Sequence, residues 1–158
     1  FPTRRSSDLV TNIGDVDLSD LARRQFPDQI AVFNKAVDIH VYDDSEEEYA
    51  RFSEEFRRSG RLEAGECFGL PYGILVPRGW SNLWTAGRCN SSDVQVHGSI
   101  RVMPAAAMMG EAAGAAAVQA IEMRQCACDL DTALLVTTLR RQGAYLPQET
   151  LSGTMTRS

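Results

Sequence analysis

Lysine is almost missing from this sequence of 158 residues, and histidine is scarce. Lys35 is its one lysine, the other 15 of the 16 basic residues are arginine, and the two histidines are His40 and His97. A mechanism that needs a Schiff-base lysine would therefore depend on Lys35 alone. Mechanisms that use a histidine as general acid or base have two residues to choose from.

Long apolar runs and an excess of positive charge are missing as well. No uninterrupted apolar run approaches the roughly 18 residues of a membrane-spanning helix, so we expect no membrane span. The net charge is −5, whereas a general nucleic-acid binder needs a basic face, so we expect no nucleic-acid partner. The composition, 44% hydrophobic and 23% charged, is that of one globular domain with its own core.

The four cysteines do not have the spacing of a metal site. The sequence contains no C-x-x-C pair, and a single residue separates Cys126 from Cys128, which is too close for the usual zinc or iron–sulfur pattern. We therefore expect no metal and four free thiols, as in a reducing, cytoplasmic compartment. Cys89 is expected to be a buried thiol. The cysteines are residues 67, 89, 126 and 128.

The first nine residues look like a translated sequencing adapter, with the order Phe-Pro-Thr-Arg-Arg-Ser-Ser-Asp-Leu. We interpret residues 1–9 as an artefact and leave them out of the fold prediction, as one would an expression tag. A signal peptide is a poorer explanation because the stretch has no apolar core. On this interpretation the chain is a C-terminal fragment of a longer protein.

Hydrophobic periodicity and turn residues predict both helices and strands, which indicates the α/β class. Helices are predicted over 19–26, 45–59, 104–122 and 130–142. Strands are predicted within 29–42, after a loop within 68–77, and over 82–86, with a turn at 78–81. The last helix should be capped by Asp129 or Asp131 and should end at Gly143.

The helix over 104–122 has an unusual composition, because alanine and glycine make up most of it. Pro104 suits a first helical turn, and alanine favours the helix. Gly110 and Gly114 cost stability in a helix interior, so we expect them to pack closely on a sheet or a cofactor. We also expect this helix to expose an apolar face.

Residues 86–104 form the candidate binding segment. Ala86-Gly87-Arg88 follows a predicted strand, where glycine lets a ligand approach the backbone. The segment 98–104 then leads into the alanine-rich helix, whose N-terminus offers free N–H groups and partial positive charge. These features suit an anionic or electron-rich ligand, but they equally suit a tight connection between a strand and a helix.

The same block resembles the C-terminal part of a family of FAD-dependent oxidoreductases. The resemblance is carried by LPYGILVPRGWSNLWTAGRC over 70–89, by GSIRVMP over 98–104, and by the ending over 129–146. It covers 60–147 well and 12–59 more loosely. It implies FAD as cofactor and the C-terminal part of a Rossmann-like, glutathione-reductase-like FAD-binding domain, together with part of an inserted α+β substrate domain.

The resemblance also implies a division of the chain. Residues 10–65 would be the C-terminal part of the substrate domain, 66–125 the C-terminal half of the FAD-binding domain, and 126–158 a C-terminal helix and tail. The family's dinucleotide fingerprint, G-x-G-x-x-G, lies near its N-terminus and is absent from this sequence.

The cofactor-binding residues follow from the same resemblance. The turn at Gly87 would lie by the ribityl chain or pyrophosphate, and Ser99 to Met103 would pass along the isoalloxazine edge. Related flavoproteins often have Gly-Asp at this turn; Arg88 stands here, so that contact is not carried over. The implied set is Ala86, Gly87, Arg88, Gly98, Ser99, Ile100, Arg101, Val102 and Met103.

Several single residues keep two interpretations. His97 is a candidate acid, base or substrate contact, or a hydrogen-bonded structural histidine. Arg101 would pair with a flavin oxygen or pyrophosphate, or with a core carboxylate. Trp80 and Trp84 are expected to pack in the core or against the cofactor domain.

The leading hypothesis is therefore hydride transfer from a small-molecule substrate to FAD, with an unknown electron acceptor. One alternative is a non-catalytic α/β fragment that binds a partner or nothing. Another is a different nucleotide-binding enzyme, in which the segment 98–104 holds a phosphate.

Overall fold

The computed structural model of the chain describes residues 14, 26–37, 46–47, 50, 54 and 66–147. The helix predicted over 19–26 lies outside these residues except for Phe26, and so does most of the helix predicted over 45–59. The elements, in chain order, are β1 (Gln29–Phe33), β2 (Phe68–Pro71), a 3₁₀ helix (Tyr72–Leu75), a 3₁₀ turn (Gly87–Cys89), α1 (Val94–Ile100), α2 (Met103–Met123), a 3₁₀ turn (Ala127–Asp129) and α3 (Thr132–Arg141).

The described sheet consists of β1 and β2, which pair antiparallel from Gln29 opposite Pro71 to Phe33 opposite Phe68. Nearly every residue of both strands is buried, because α2 and α3 pack on β1. The rings of Phe33 and Phe68 meet edge to face with centroids 5.2 Å apart. Helices and strands together confirm a mixed α and β chain, while the Rossmann-like and inserted-domain assignments stay predictions.

The prediction of a loop and then a strand within 68–77 is wrong in its order. The strand comes first, over Phe68–Pro71, and a 3₁₀ helix follows over Tyr72–Leu75. Pro71 has no N–H to donate to a ladder, which favours the end of a strand there. The Tyr72 N–H instead bonds to Asp28, over 3.1 Å to its carbonyl oxygen.

The segment 82–86 is not a strand either. Thr85 N–H bonds to the Leu75 carbonyl oxygen over 2.7 Å, but the segment runs irregularly to the turn at Gly87. The turn predicted at 78–81 is confirmed, since Gly79 has a φ of +81° and the Trp80 N–H bonds back to Pro77. Segment 82–86 therefore leads into the turn at Gly87 without regular structure, where the sequence predicted a strand.

Helix α2 is confirmed within one residue at each end, with Pro104 in its first turn. Its buried face packs under β1 and α3 and is made mostly of alanine. Gly110 and Gly114 lie on the other face, where no described atom comes within 4 Å of an added Cβ. Among the described residues the close packing is thus made by the alanines, and the expectation that the glycines pack on a sheet is wrong there. Their packing on a cofactor stays a prediction.

The exposed apolar face expected on α2 is confirmed. Large apolar side chains lie open to solvent at both ends of the helix, and Met103 is 86% exposed. The others are Val118, Ile121 and Met123. In the part of the chain that the structure describes, no helix combines the length and apolar character needed to cross a membrane.

Helix α3 begins and ends as its caps predict. Asp131 is the N-cap, and its Oδ1 accepts a hydrogen bond from Leu134 N over 3.0 Å. The helix ends before Gly143, which has a φ of +101°. Its buried face includes Leu135 and Leu139. This face packs against α2 and β1 and so completes the core on that side.

Candidate functional site

The two segments predicted to bind a cofactor come together where α1 meets α2. The 3₁₀ turn Gly87–Cys89 packs against both helices. Gly87 has a φ of +75°, which L-residues rarely adopt, and a Cβ added there would lie 3.5 Å from the Cβ of Ala106. Glycine thus lets the turn fold tightly beside the first turns of α2.

Most of the segment 98–104 is helical, since it holds the end of α1 and the start of α2. Gly98, Ser99 and Ile100 end helix α1, which Asp93 caps by accepting a hydrogen bond from Val96 N over 2.7 Å. This N-cap is the local signal that the sequence analysis missed.

Gly98, Ser99 and Ile100, the last residues of α1, are all buried. The Ser99 hydroxyl donates to the Lys35 carbonyl oxygen over 2.9 Å, and Ile100 belongs to the hydrophobic core. Both side chains therefore contribute to packing. The cofactor-binding role that the resemblance implies for Gly98 to Ile100 stays a prediction.

Among the described residues, no side chain caps the N-terminus of α2. Val102 is its N-cap residue and supplies no side-chain hydrogen bond. The first N–H groups of this 21-residue helix thus have no side-chain cap, and they carry the positive end of its dipole. Arg101 and Met103 flank the N-cap and are both exposed, so a cation and an apolar side chain border the helix start.

His97 is half-buried on α1 and lies within the field of two arginines. Burial lowers the pKa of its imidazole below the ordinary value of 6.5, and the charges of Arg101 and Arg88 lower the pKa further. The ring is therefore neutral at neutral pH and can accept a proton. Arg88 and Arg101 come from separate segments of the chain, and both act on the imidazole of His97.

Two residues of the site escaped the sequence analysis. Asn90 and Ser92 are buried between the turn at Gly87 and α1. The Asn90 amide Nδ2 donates to the Gly87 carbonyl oxygen over 2.6 Å and so fixes the turn. Among the described residues, Asn90 Oδ1 and Ser92 Oγ have no hydrogen-bond partner. Their only sequence signal was polarity inside a turn.

Two burial predictions near the site are wrong. Cys89 is exposed, and its thiol donates to the Ala86 carbonyl oxygen at 3.0 Å. Trp80 is 59% exposed, because it sits in a surface turn, while Trp84 packs on the core as expected. The four cysteines are free thiols, and no cluster of metal-ligating side chains occurs within the described ranges.

The chain matches the model of a known protein family. The family model described as FAD dependent oxidoreductase matches residues 4–141. This range covers most of the chain and includes every residue of the candidate site. No curated protein and no solved structure shows a significant match to the chain.

Proposed function

The chain belongs to the family of FAD-dependent oxidoreductases, whose cofactor is FAD, and on this basis we propose that it serves hydride transfer from a small-molecule substrate to the flavin. The observation that carries the proposal is that the turn containing Arg88 packs on α1 and α2 beside the uncapped start of α2, where the charges of Arg88 and Arg101 both act on His97. An anionic or electron-rich group is what this arrangement favours.

The residues at this junction fit FAD by their chemistry. Two guanidinium groups and a helix N-terminus suit its pyrophosphate or an electron-rich ring edge, and the exposed Met103 offers an apolar contact to an aromatic ring. We propose that Gly87, Arg88, Arg101 and the residues around Val102 hold the cofactor. When bound, FAD supplies two-electron redox chemistry.

His97 is our candidate for the proton step. A neutral imidazole beside two cations can accept a proton from a substrate hydroxyl or amine as hydride leaves. The charges of Arg88 and Arg101 keep the imidazole unprotonated before the step. If His97 accepts the proton, its substitution changes the pH profile of turnover. If His97 is purely structural, its substitution affects stability and leaves that pH profile unchanged.

The larger organisation is also part of the proposal. Residues 66–125 would form the C-terminal half of the FAD-binding domain, 10–65 part of the substrate domain, and 126–158 the C-terminal helix and tail. The electron acceptor would be a separate molecule. The four free thiols support a reducing, cytoplasmic setting.

The test is a titration of the purified chain with FAD, followed by quenching of flavin fluorescence. We expect the double variant Arg88→Gln/Arg101→Gln to raise the dissociation constant at least about tenfold, since it removes two cations from an anion site. Arg124→Gln is the matched control, because Arg124 is exposed at the other end of α2. Equal affinities of the double variant and the control would refute the proposed cofactor site.

A further inference from the structure

Two exposed cysteines flank one buried residue in the 3₁₀ turn between α2 and α3. Cys126 immediately precedes this turn and Cys128 lies within it, and both are exposed free thiols. Ala127, between them, is buried. The pair lies beyond the carboxyl end of α2, whose 21 residues separate it from the α1–α2 junction by about 30 Å. The flavin function proposed above therefore does not use these thiols.

The backbone between the two cysteines is held in place from several sides. The Ala127 N–H donates to the Ser81 carbonyl oxygen over 2.7 Å, and the Ala127 carbonyl oxygen accepts the Tyr72 hydroxyl over 2.8 Å. The methyl group of Ala127 belongs to the hydrophobic core. The Asp129 N–H closes the turn on the Cys126 carbonyl oxygen over 3.1 Å. The folded chain thus fixes the residue that sets the distance between the cysteines.

The conformation of Ala127 brings the two cysteines within disulfide range. The separation of their Cα atoms depends on the φ and ψ of Ala127 alone, because the peptide bonds on either side are planar and trans. A residue in a 3₁₀ turn gives a separation of about 5.5 Å, whereas an extended residue gives about 7 Å. Disulfides span Cα separations of about 4.4–6.8 Å. The two thiols also interact electrostatically, which places their sulfur atoms near each other.

The surroundings of Cys128 set the order in which the two thiols react. The Cys128 thiol donates a hydrogen bond to the Asp129 carboxylate. Desolvation, followed by the charge and the hydrogen bond of that carboxylate, raises the pKa of the Cys128 thiol above its ordinary value. A thiol must lose its proton before it attacks a disulfide. Cys126 is therefore the thiol that attacks first, and Cys128 the one that follows.

We propose that Cys126 and Cys128 form a redox site that reacts reversibly with a low-molecular-weight disulfide such as glutathione disulfide. The Cys126 thiolate attacks one sulfur of that disulfide, whose S–S bond breaks as a mixed disulfide forms and the first glutathione thiolate leaves. The Cys128 thiolate then attacks the sulfur of Cys126 and displaces the second glutathione thiolate. The leaving thiolates take up the two protons that the cysteines lost. Two protein thiols are thus oxidised to one disulfide, while one glutathione disulfide is reduced to two thiols.

The test incubates the reduced full chain with excess glutathione disulfide, blocks the remaining thiols with iodoacetamide and measures the masses of the tryptic peptides. Cleavage after Arg124 and Arg140 leaves both cysteines in one peptide, over 125–140. We expect this peptide to lose two hydrogens and to carry neither iodoacetamide nor glutathione. A reducing agent should restore both thiols. A peptide that instead keeps glutathione or free thiols at both positions would show that the proposal is wrong.

Three variants assign the roles of the thiols. Cys128→Ser should stop at the mixed disulfide, so its peptide should carry one glutathione on Cys126. Cys126→Ser should acquire glutathione at least about fivefold more slowly, because Asp129 keeps the Cys128 thiol protonated. Cys89→Ser is the control: it removes another exposed thiol and should leave the intramolecular disulfide unchanged. Equal rates for the first two variants would overturn the order of attack, and loss of the disulfide in Cys89→Ser would overturn the pairing.

Denaturation separates the effect of the fold from closeness in sequence. In a buffer of reduced and oxidised glutathione, the fraction of disulfide gives the equilibrium constant of pairing. Urea removes the hydrogen bonds that hold Ala127, so this constant should fall at least about fivefold. An unchanged constant would mean that the turn does not favour the disulfide. FAD titration of Cys126→Ser should match the wild type, so the redox site and the proposed cofactor site can fail independently.

Discussion

The indole Nε1 of Trp84 donates a hydrogen bond to the hydroxyl oxygen of Tyr72 over 2.7 Å. That hydroxyl in turn donates to the carbonyl oxygen of Ala127 over 2.8 Å. The chain of bonds joins the 3₁₀ helix that follows β2, the irregular segment before Gly87 and the 3₁₀ turn between α2 and α3. It therefore holds the segment that leads into the cofactor junction against the C-terminal part of the core.

Tyr72→Phe should destabilise the chain by about 1–3 kcal/mol, because it leaves the Trp84 N–H and the Ala127 carbonyl without their partner in a buried place. The measurement is the free energy of unfolding in urea. Tyr145→Phe is the control, since Tyr145 is 70% exposed and its loss should cost little. Equal effects of the two substitutions would show that the hydrogen-bond chain contributes no stability.

Alkaline pH should weaken the same link. Burial raises the pKa of Tyr72 from 10.0 to about 12, so the folded state keeps the proton after the unfolded state has lost it. The stabilisation is complete below pH 10 and is lost between pH 10 and about 12. Urea unfolding at several pH values should show this fall in the wild type and a smaller fall in Tyr72→Phe. Parallel curves would contradict the assignment.

His97 should titrate below its ordinary pKa of 6.5. Burial and the charges of Arg101 and Arg88 disfavour the imidazolium. Because the unfolded state then takes up the proton first, the contribution of His97 to stability is present above pH 6.5 and is lost as the pH falls through its folded pKa. NMR titration of the imidazole measures the midpoint directly.

Arg88→Gln and Arg101→Gln should each raise the His97 midpoint, and Arg124→Gln, at the far end of α2, should not. A midpoint that stays the same in all three variants would mean that the arginines do not act on His97. Burial alone would then account for the low pKa of His97. The proposed cofactor site would lose its evidence that the charges of Arg88 and Arg101 lie close together.

The features predicted correctly are those with local causes. Helix α2 follows from its run of alanine and from Pro104, and α3 follows from the Asp131 cap and Gly143. Strand β2 was misplaced because its register depends on β1, which lies some 35 residues earlier in the chain. Pairing with a strand so distant in sequence is hard to predict from the residues of β2 alone.

In the candidate site, too, the features with local causes were predicted and those that depend on packing were not. The sequence singled out Gly87 and the start of α2, because a turn glycine and a helix N-terminus are local signals. It could not show that Asn90 would be buried or that Cys89 would be exposed, since both depend on how the turn packs against α1 and α2. The charges of Arg88 and Arg101 converge only in the folded chain.

Substituting alanine at two glycines should change stability in opposite directions. Gly87→Ala forces a Cβ onto a φ of +75° and should destabilise the chain by about 1–2 kcal/mol. Gly110→Ala adds a Cβ to an exposed helical position with open space around it among the described residues, and should stabilise the chain by about 1 kcal/mol. Thermal and urea unfolding measure both changes. Destabilisation by Gly110→Ala would mean that this face of α2 is packed closely after all, whereas a neutral Gly87→Ala would show that the turn beside Ala106 tolerates another conformation.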